Sequence, residues 1–170
     1  MAENRKASNF VDFVVHVARV TKVTKGGKTF SFSALVVSGN PDAGQVGLGL
    51  GKSREVSLAI AKATNQARKN LITIALRGTT LPYDVRGQHG ASEVVIRPAY
   101  KGTGLIAGGA VRKIMEAAGV KDVLAKSLGS ANATNVAKAT FNAFAQLRSA
   151  SDLAKLRGKT VQELVGGSKS

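Results

Sequence analysis

The residues of this chain whose types and spacing could do chemistry are cations set beside glycines. Lys25 and Lys28 flank Gly26 and Gly27, and Arg19 and Lys22 approach that pair along a Val-rich run. Lys52 and Arg54 follow Val46-Gly47-Leu48-Gly49-Leu50-Gly51, in which every second residue lacks a side chain. Ammonium and guanidinium groups at such places neutralise phosphates, and bare backbone at Gly26, Gly27, Gly47 and Gly49 would let a polyanion come close. Beyond Arg54 a helix advancing roughly 100° per residue places Val56, Ala59, Ile60, Ala63, Ala67 and Leu71 on one side. Lys62, Asn65, Arg68 and Lys69 fall with Arg54 on the other, a basic ridge.

Other constellations point to chemistry less well. Gly51-Lys52-Ser53 has the end of a P-loop but Val46 stands where its first glycine belongs. Gly102-Thr103-Gly104-Leu105-Ile106-Ala107 satisfies G-x-G-x-x-A, with Asp122 near the distance of a ribose-binding acid. Asp122 opens the following strand instead of closing one, and too little chain remains for a doubly wound sheet. The loop and the helix after it could still hold an RNA phosphate. His16 and His89 have no spaced partners for a metal site or triad, and Asp12, Asp84 and Glu93 are scattered. No active site, metal or cofactor is expected, with His89 an RNA contact at most.

The elements that must position these cations follow from pattern. Residues 10–23 and 29–37 read as strands around a hairpin turn, and a turn at 39–44 leads to the glycine-striped strand. Ser53 is placed to cap the helix, with Glu55 in its first turn. The expected first unit is a three-stranded antiparallel meander with one helix, followed by a β-rich run at 71–76 and a break at 77–82. In the second half, strands at 83–86 and 92–97 surround a loop at 87–90, and the glycine loop at 101–104 leads to a helix at 107–118 that Gly119 closes. A strand at 120–127 and a helix at 132–148, striped by Val136, Thr140, Ala143, Phe144 and Leu147, complete it. The fold class is α+β, two small two-layer α/β domains: a flexible arm at 1–9, domains at 10–77 and 82–148, and a tail at 149–170. Thr160 and Glu163 in the tail have capping-box spacing for a short helix.

Composition favours the same chemistry. In 170 residues there are 25 Lys and Arg against 10 Asp and Glu, a formal charge of +15 shared by both halves, so nucleic acid is the leading partner. Trp is absent and aromatics are 5%, which argues against base stacking on an aromatic platform. Without cysteine there is no disulfide framework. The absence of a signal-peptide pattern and of a membrane-length apolar run suggests a cytoplasmic protein without membrane or small-molecule partners.

Across about residues 17–147 the sequence resembles the bacterial small-subunit ribosomal protein S-five family. The resemblance is carried by Arg19-Val20-Thr21-Lys22, Lys25 to Phe32, Val46 to Gly49 with Gly51 to Val56, Gly102 to Gly109, Ala118 to Lys126, and Gly129-Ser130 with Asn135-Val136. It implies a first domain like the double-stranded-RNA-binding fold and a second of the S-five C-terminal type, shared with some small-molecule kinases. It further implies a structural constituent of the small subunit that binds rRNA near the head–body joint, beside the spectinomycin site. Proteins S-four and S-eight would be neighbours, Gly108, Gly109 and Arg112 would face S-four, and the protein would contribute to translational accuracy without being an enzyme or a homo-oligomer. Gln45, Leu48, Glu93, Ala133 and a long turn at 40–44 depart from the family's pattern. With the residues alone, Arg19, Lys22, Lys25, Lys28, Lys52, Arg54, Lys62 and Arg68 are the expected phosphate contacts. A free double-stranded-RNA regulator and a nucleotide-binding enzyme are the alternatives.

Overall fold

The computed structural model describes residues 9–165; the expected arm at 1–9 and the last residues of the tail lie almost wholly outside that range. Two Val-rich segments, β1 (Val11–Thr24) and β2 (Gly27–Asn40), pair antiparallel around a tight turn. β3 (Gln45–Ser53) pairs with β2, and helix α1 (Val56–Lys69) returns the chain so that β4 (Leu71–Thr73) adds to β3. The sheet therefore has four strands in the order β1-β2-β3-β4, not the three expected. The run at 71–76 reads as β-rich for this reason, although only its first three residues pair.

Two local expectations change. The register of β1 shifts between Val14 and His16, and a bulge of this kind turns the residues after it to the other face. Phe13, Val15 and Val17 alternate along the sequence as on one face of a strand; Phe13 and Val15 do pack on the core, but Val17 is exposed and Ala18 takes the inward position. Ser53 does not cap α1, because it remains in β3 opposite Phe32; the N-cap is Glu55, without a side-chain bond. Glu55 and Arg54 thus precede the helix.

Small residues decide how α1 packs. Ala59, Ala63 and Ala67 lie against Ala34 and Val36 of β2 and against the glycine face of β3. A Cβ at Gly47, Gly49 or Gly51 would land on the carbonyl oxygen of Ala67, Ala63 or Ala59 respectively. The body that the bare backbone admits is therefore the chain's own helix.

The second sheet contains β5 (Val85–His89), β6 (Ser92–Pro98), β7 (Leu105–Ile106) and β8 (Val123–Gly129) in the order β5-β6-β8-β7, with β7 parallel to β8. The expected loop at 87–90 is largely strand, since Gly87 admits helix α3 (Ala133–Gln146) where a Cβ would strike the Ala139 carbonyl. Asn132 caps α3, its Oδ1 accepting from Thr134 N at 3.0 Å, and Ala133 takes the first helical position, where proline is often found. The predicted stripe is correct: Val136, Thr140, Ala143 and Phe144 are buried and Leu147 packs beside them.

Helix α2 (Gly109–Ala117) joins the two halves. It lies against β1 and β2 on the face opposite α1, so Leu35, Val37 and Val46 share one core with Val94, Ile96, Ile114 and Met115. Gly39 admits the end of α2, and Lys113 Nζ donates to the Val14 carbonyl at 2.7 Å. Helix α4 (Ala150–Arg157), not foreseen in the tail, is capped by Ser149 and closed by Gly158 at φ 62°. The capping box of α5 (Val161–Val165) forms as expected, Thr160 Oγ1 accepting from Glu163 N and Glu163 Oε2 from Thr160 N.

Candidate nucleic-acid interface

Pairing between β2 and β3 ends at Phe32 and Ser53, whereas β1 and β2 continue together to Thr24 and Gly27. The last part of the hairpin is thus a two-stranded arm, and every residue from Arg19 to Phe30 is exposed. Lys25 and Gly26 form its turn, stitched by Thr24 Oγ1 donating to the Gly27 carbonyl at 3.0 Å; Gly27 takes φ 147°. A two-stranded ribbon is marginally stable alone, so an arm this exposed gains most from contact with another surface. Gly26 has open space around it, which keeps the close-approach argument for the tip.

Arg19 is held rather than loose: its guanidinium lies 4.5 Å from the centre of the Phe30 ring. Stacking of this type fixes the plane of the group while its N–H donors point outward around the edge. At the base of the arm, Lys22, Lys52, Arg54 and Lys62 line one open hollow of about 690 Å³. Val20, Leu58 and Ser31 complete its wall, residues that the linear pattern did not mark. None of the four cations has an ion-pair partner among the described residues. Four positive groups around one hollow repel each other until anions enter, and the phosphodiester backbone of a nucleic acid supplies them.

The remaining expected residues fall elsewhere. Arg68 donates to Asp12 at 2.7 Å and lies over the Phe10 ring, so it fastens the start of β1 to α1. Gly47 and Gly49 are covered by α1, which corrects the reason given for them: they admit a helix, not a polyanion. Gly108 caps α2, Gly109 opens it, and Arg112 is exposed on its first turn; neither glycine is crowded. Glu93 meets Arg86 at 3.8 Å across β5 and β6. His89 closes β5, half-buried beside Lys138 and Asn142.

The glycine loop at 101–104 is also not free to hold a phosphate. Asp122 Oδ1 accepts from Gly102 N at 2.9 Å and Gly104 N at 3.0 Å, while Thr79 Oγ1 donates to Oδ2 at 2.7 Å. The chain supplies its own anion. The Gly104 N–H and the Thr79 hydroxyl hold the Asp122 carboxyl below its usual value against the opposing effect of burial, with Gly102 N–H and Lys101 adding to the lowering. A nucleotide pyrophosphate would have to displace this carboxylate. Among the described residues no group of His, Cys, Asp or Glu could hold a metal ion, and no helix is long and apolar enough to cross a membrane.

Comparison with known proteins places both halves. Residues 10–75 match the family model described as ribosomal protein S5, N-terminal domain, and residues 87–157 match ribosomal protein S5, C-terminal domain. Relatives called small ribosomal subunit protein uS5 are similar over nearly the whole chain. That of Hahella chejuensis is 49% identical over 96% of this chain and 98% of its own. That of Koribacter versatilis is 53% identical over 92% of each, and that of Acinetobacter baumannii 51% identical over 98% of this chain and all of its own.

Proposed function

This chain belongs to the ribosomal protein S5 family, and on that premise we propose that it is a structural, non-enzymatic component of the cytoplasmic small ribosomal subunit that binds rRNA. The observation that carries the reading is the unpaired cluster of Lys22, Lys52, Arg54 and Lys62 at the base of an exposed arm tipped by Lys25 and Lys28. The arm and hollow grip the phosphate backbone; Arg19 adds a planar, pre-oriented donor. Rigidity comes from α1, seated on the glycine face of β3 and lining the hollow with Leu58 and Lys62.

Finer assignments belong to the same proposal. Gly108, Gly109 and Arg112 form a surface for protein S-four, supported by the open space around the start of α2. Protein S-eight is the other neighbour, and the role at the head–body joint and in translational accuracy follows from that position. Residues 10–77 and 82–148 are two units by their sheets, whose pairings never cross between them, joined through the one core that α2 carries across both. The nucleotide-binding alternative loses its donors, because Gly102 and Gly104 are bonded to Asp122.

Small-subunit rRNA titrated with the full chain at several salt concentrations tests the interface. Replacing Lys25, Lys28 and Arg54 together by Ala should weaken binding across RNA sequences and flatten the log–log salt slope by up to about three units, near one per lost phosphate contact. An unchanged slope would remove the proposed surface. Tight binding to any isolated duplex, equal to that for small-subunit rRNA, would favour the free regulator.

A further inference from the structure

With six Phe, two Tyr and no Trp, aromatic rings are few, and the fold occupies all but one of them. Phe13, Phe32, Phe141 and Phe144 pack on the two cores. The Arg19 guanidinium lies over Phe30 and that of Arg68 over Phe10. Tyr83 ties the link to α3, its hydroxyl donating to the Gln146 carbonyl at 3.0 Å and accepting from Arg148 N at 2.8 Å. Tyr100 is left 93% exposed, on neither core. Its backbone is nonetheless fixed on both sides: Ala99 N donates to Thr80 Oγ1 at 3.2 Å, the Tyr100 carbonyl accepts from Thr103 N at 3.1 Å, and Asp122 holds Gly102 and Gly104. Three exposed cations belong to the same segments, Arg97 near the end of β6, Lys101 beside the ring in sequence and Lys121 just before Asp122. None has an ion-pair partner among the described residues, and the acid of the turn, Asp122, is buried and spent on the glycine N–H groups.

We infer that Tyr100 is a stacking site for one unpaired nucleobase of RNA, with Lys101 and Lys121 meeting the phosphates of that strand. The inference rests on the reading of the chain as an rRNA-binding subunit component, and it adds a contact in the second half, of a different kind from the arm and its hollow. Each nucleotide carries a flat π face and an anion joined by one sugar, and Tyr100 with Lys101 offers the complementary pair on adjacent residues. A base inside a duplex is already stacked on both faces, so a lone surface ring can take only one that is bulged, looped or terminal. The pinned backbone and a side chain with two torsions lose little freedom when the base arrives. One ring is not a platform for a run of bases, so the contact is to a single nucleotide and tolerates any base there.

The full chain with Tyr100 replaced by the photoreactive p-benzoylphenylalanine is assembled into small ribosomal subunits, purified by sedimentation and irradiated. The expected product is a crosslink to an unpaired nucleotide of the rRNA. Titration of small-subunit rRNA with the full chain at several salt concentrations then separates stacking from charge. Tyr100→Leu should bind about tenfold more weakly at every salt with an unchanged log–log slope, whereas Tyr100→Phe, which keeps the ring, should stay within about twofold of the parent. Lys101→Ala should instead flatten the slope by about one unit. A crosslink to protein or to paired nucleotides, no crosslink, or a Tyr100→Leu variant that binds as tightly as the parent would overturn the inference. Failure of the unmodified chain itself to bind the rRNA or to sediment with the subunit would instead overturn the ribosomal reading beneath it.

Discussion

Replacing Gly49 by Ala separates two uses of the same bare backbone. If the missing side chain serves α1, a methyl there must push the helix away; if it serves RNA, the methyl would spare the fold and harm binding. The new Cβ would fall on the Ala63 carbonyl oxygen and lie 2.6 Å from Ala67 N and 2.9 Å from the Ala63 carbonyl carbon. Carbon contacts rest at about 3.5–4.0 Å, so α1 has to withdraw by about 1 Å. The obstructing atoms are backbone, so no flexible side chain can yield. Overpacking of this kind costs about 1–3 kcal/mol, partly offset by the ~0.5–1 kcal/mol that alanine gains over glycine in regular structure. A net loss of about 1 kcal/mol lowers the melting temperature by about 2–4 °C in a chain of this size. Urea unfolding of the full chain followed by circular dichroism measures it, with Gly26→Ala as the control. Nothing lies within 4 Å of a Cβ at Gly26, so that variant should stay within ~0.5 kcal/mol of the parent. Native stability in Gly49→Ala together with lost rRNA binding would refute the helix-packing argument and restore the RNA one.

Asp122→Asn should flatten the acid limb of stability: the folded carboxyl titrates below its unfolded value, so its contribution is complete above about pH 4 and lost as pH falls through the folded value. A pH series of thermal midpoints checks this, and equal acid sensitivity in both proteins would show that the loop contacts carry no linkage. Asn132→Ala should cost about 1 kcal/mol through loss of the α3 cap, read by urea midpoint. Arg68→Ala should leave the rRNA salt slope unchanged while reducing stability by up to ~1 kcal/mol, because its partner is Asp12; a slope change of a full unit would return Arg68 to the RNA surface.

Much of the fold was legible because long amphipathic segments declare themselves. The α3 stripe, the tip at Lys25 to Lys28 and the capping box at Thr160 all follow from spacing within a few residues. What stayed hidden depends on partners distant in sequence. β7 is two residues long and exists only because β8 lies beside it. Gly47 and Gly49 mark close approach correctly, but sequence does not say what approaches, and Gly87, expected in a loop, instead admits α3 from within β5. Gly102 and Gly104 present a phosphate-binding pattern whose donors turn inward to Asp122, a pairing set by the return of the chain at β8. The cations of the arm could be picked out singly, whereas their gathering with Leu58 and Val20 needed the arm's pairing register.

The position of α2 carries a consequence for synthesis. Leu35, Val37 and Val46 are complete in sequence long before residues 109–117, which cover them, leave the site of translation. At about 5–20 residues per second that face stays uncovered for several seconds, next to a strongly basic hairpin, in a cell full of nascent RNA and unfinished chains. The first sheet can pair early through local contacts and α1, but its second face closes only when the later half arrives. Maturation of the nascent chain is therefore timed by the second half, and a ribosome stalled between the two halves would release a sticky, positively charged fragment suited to chaperone capture.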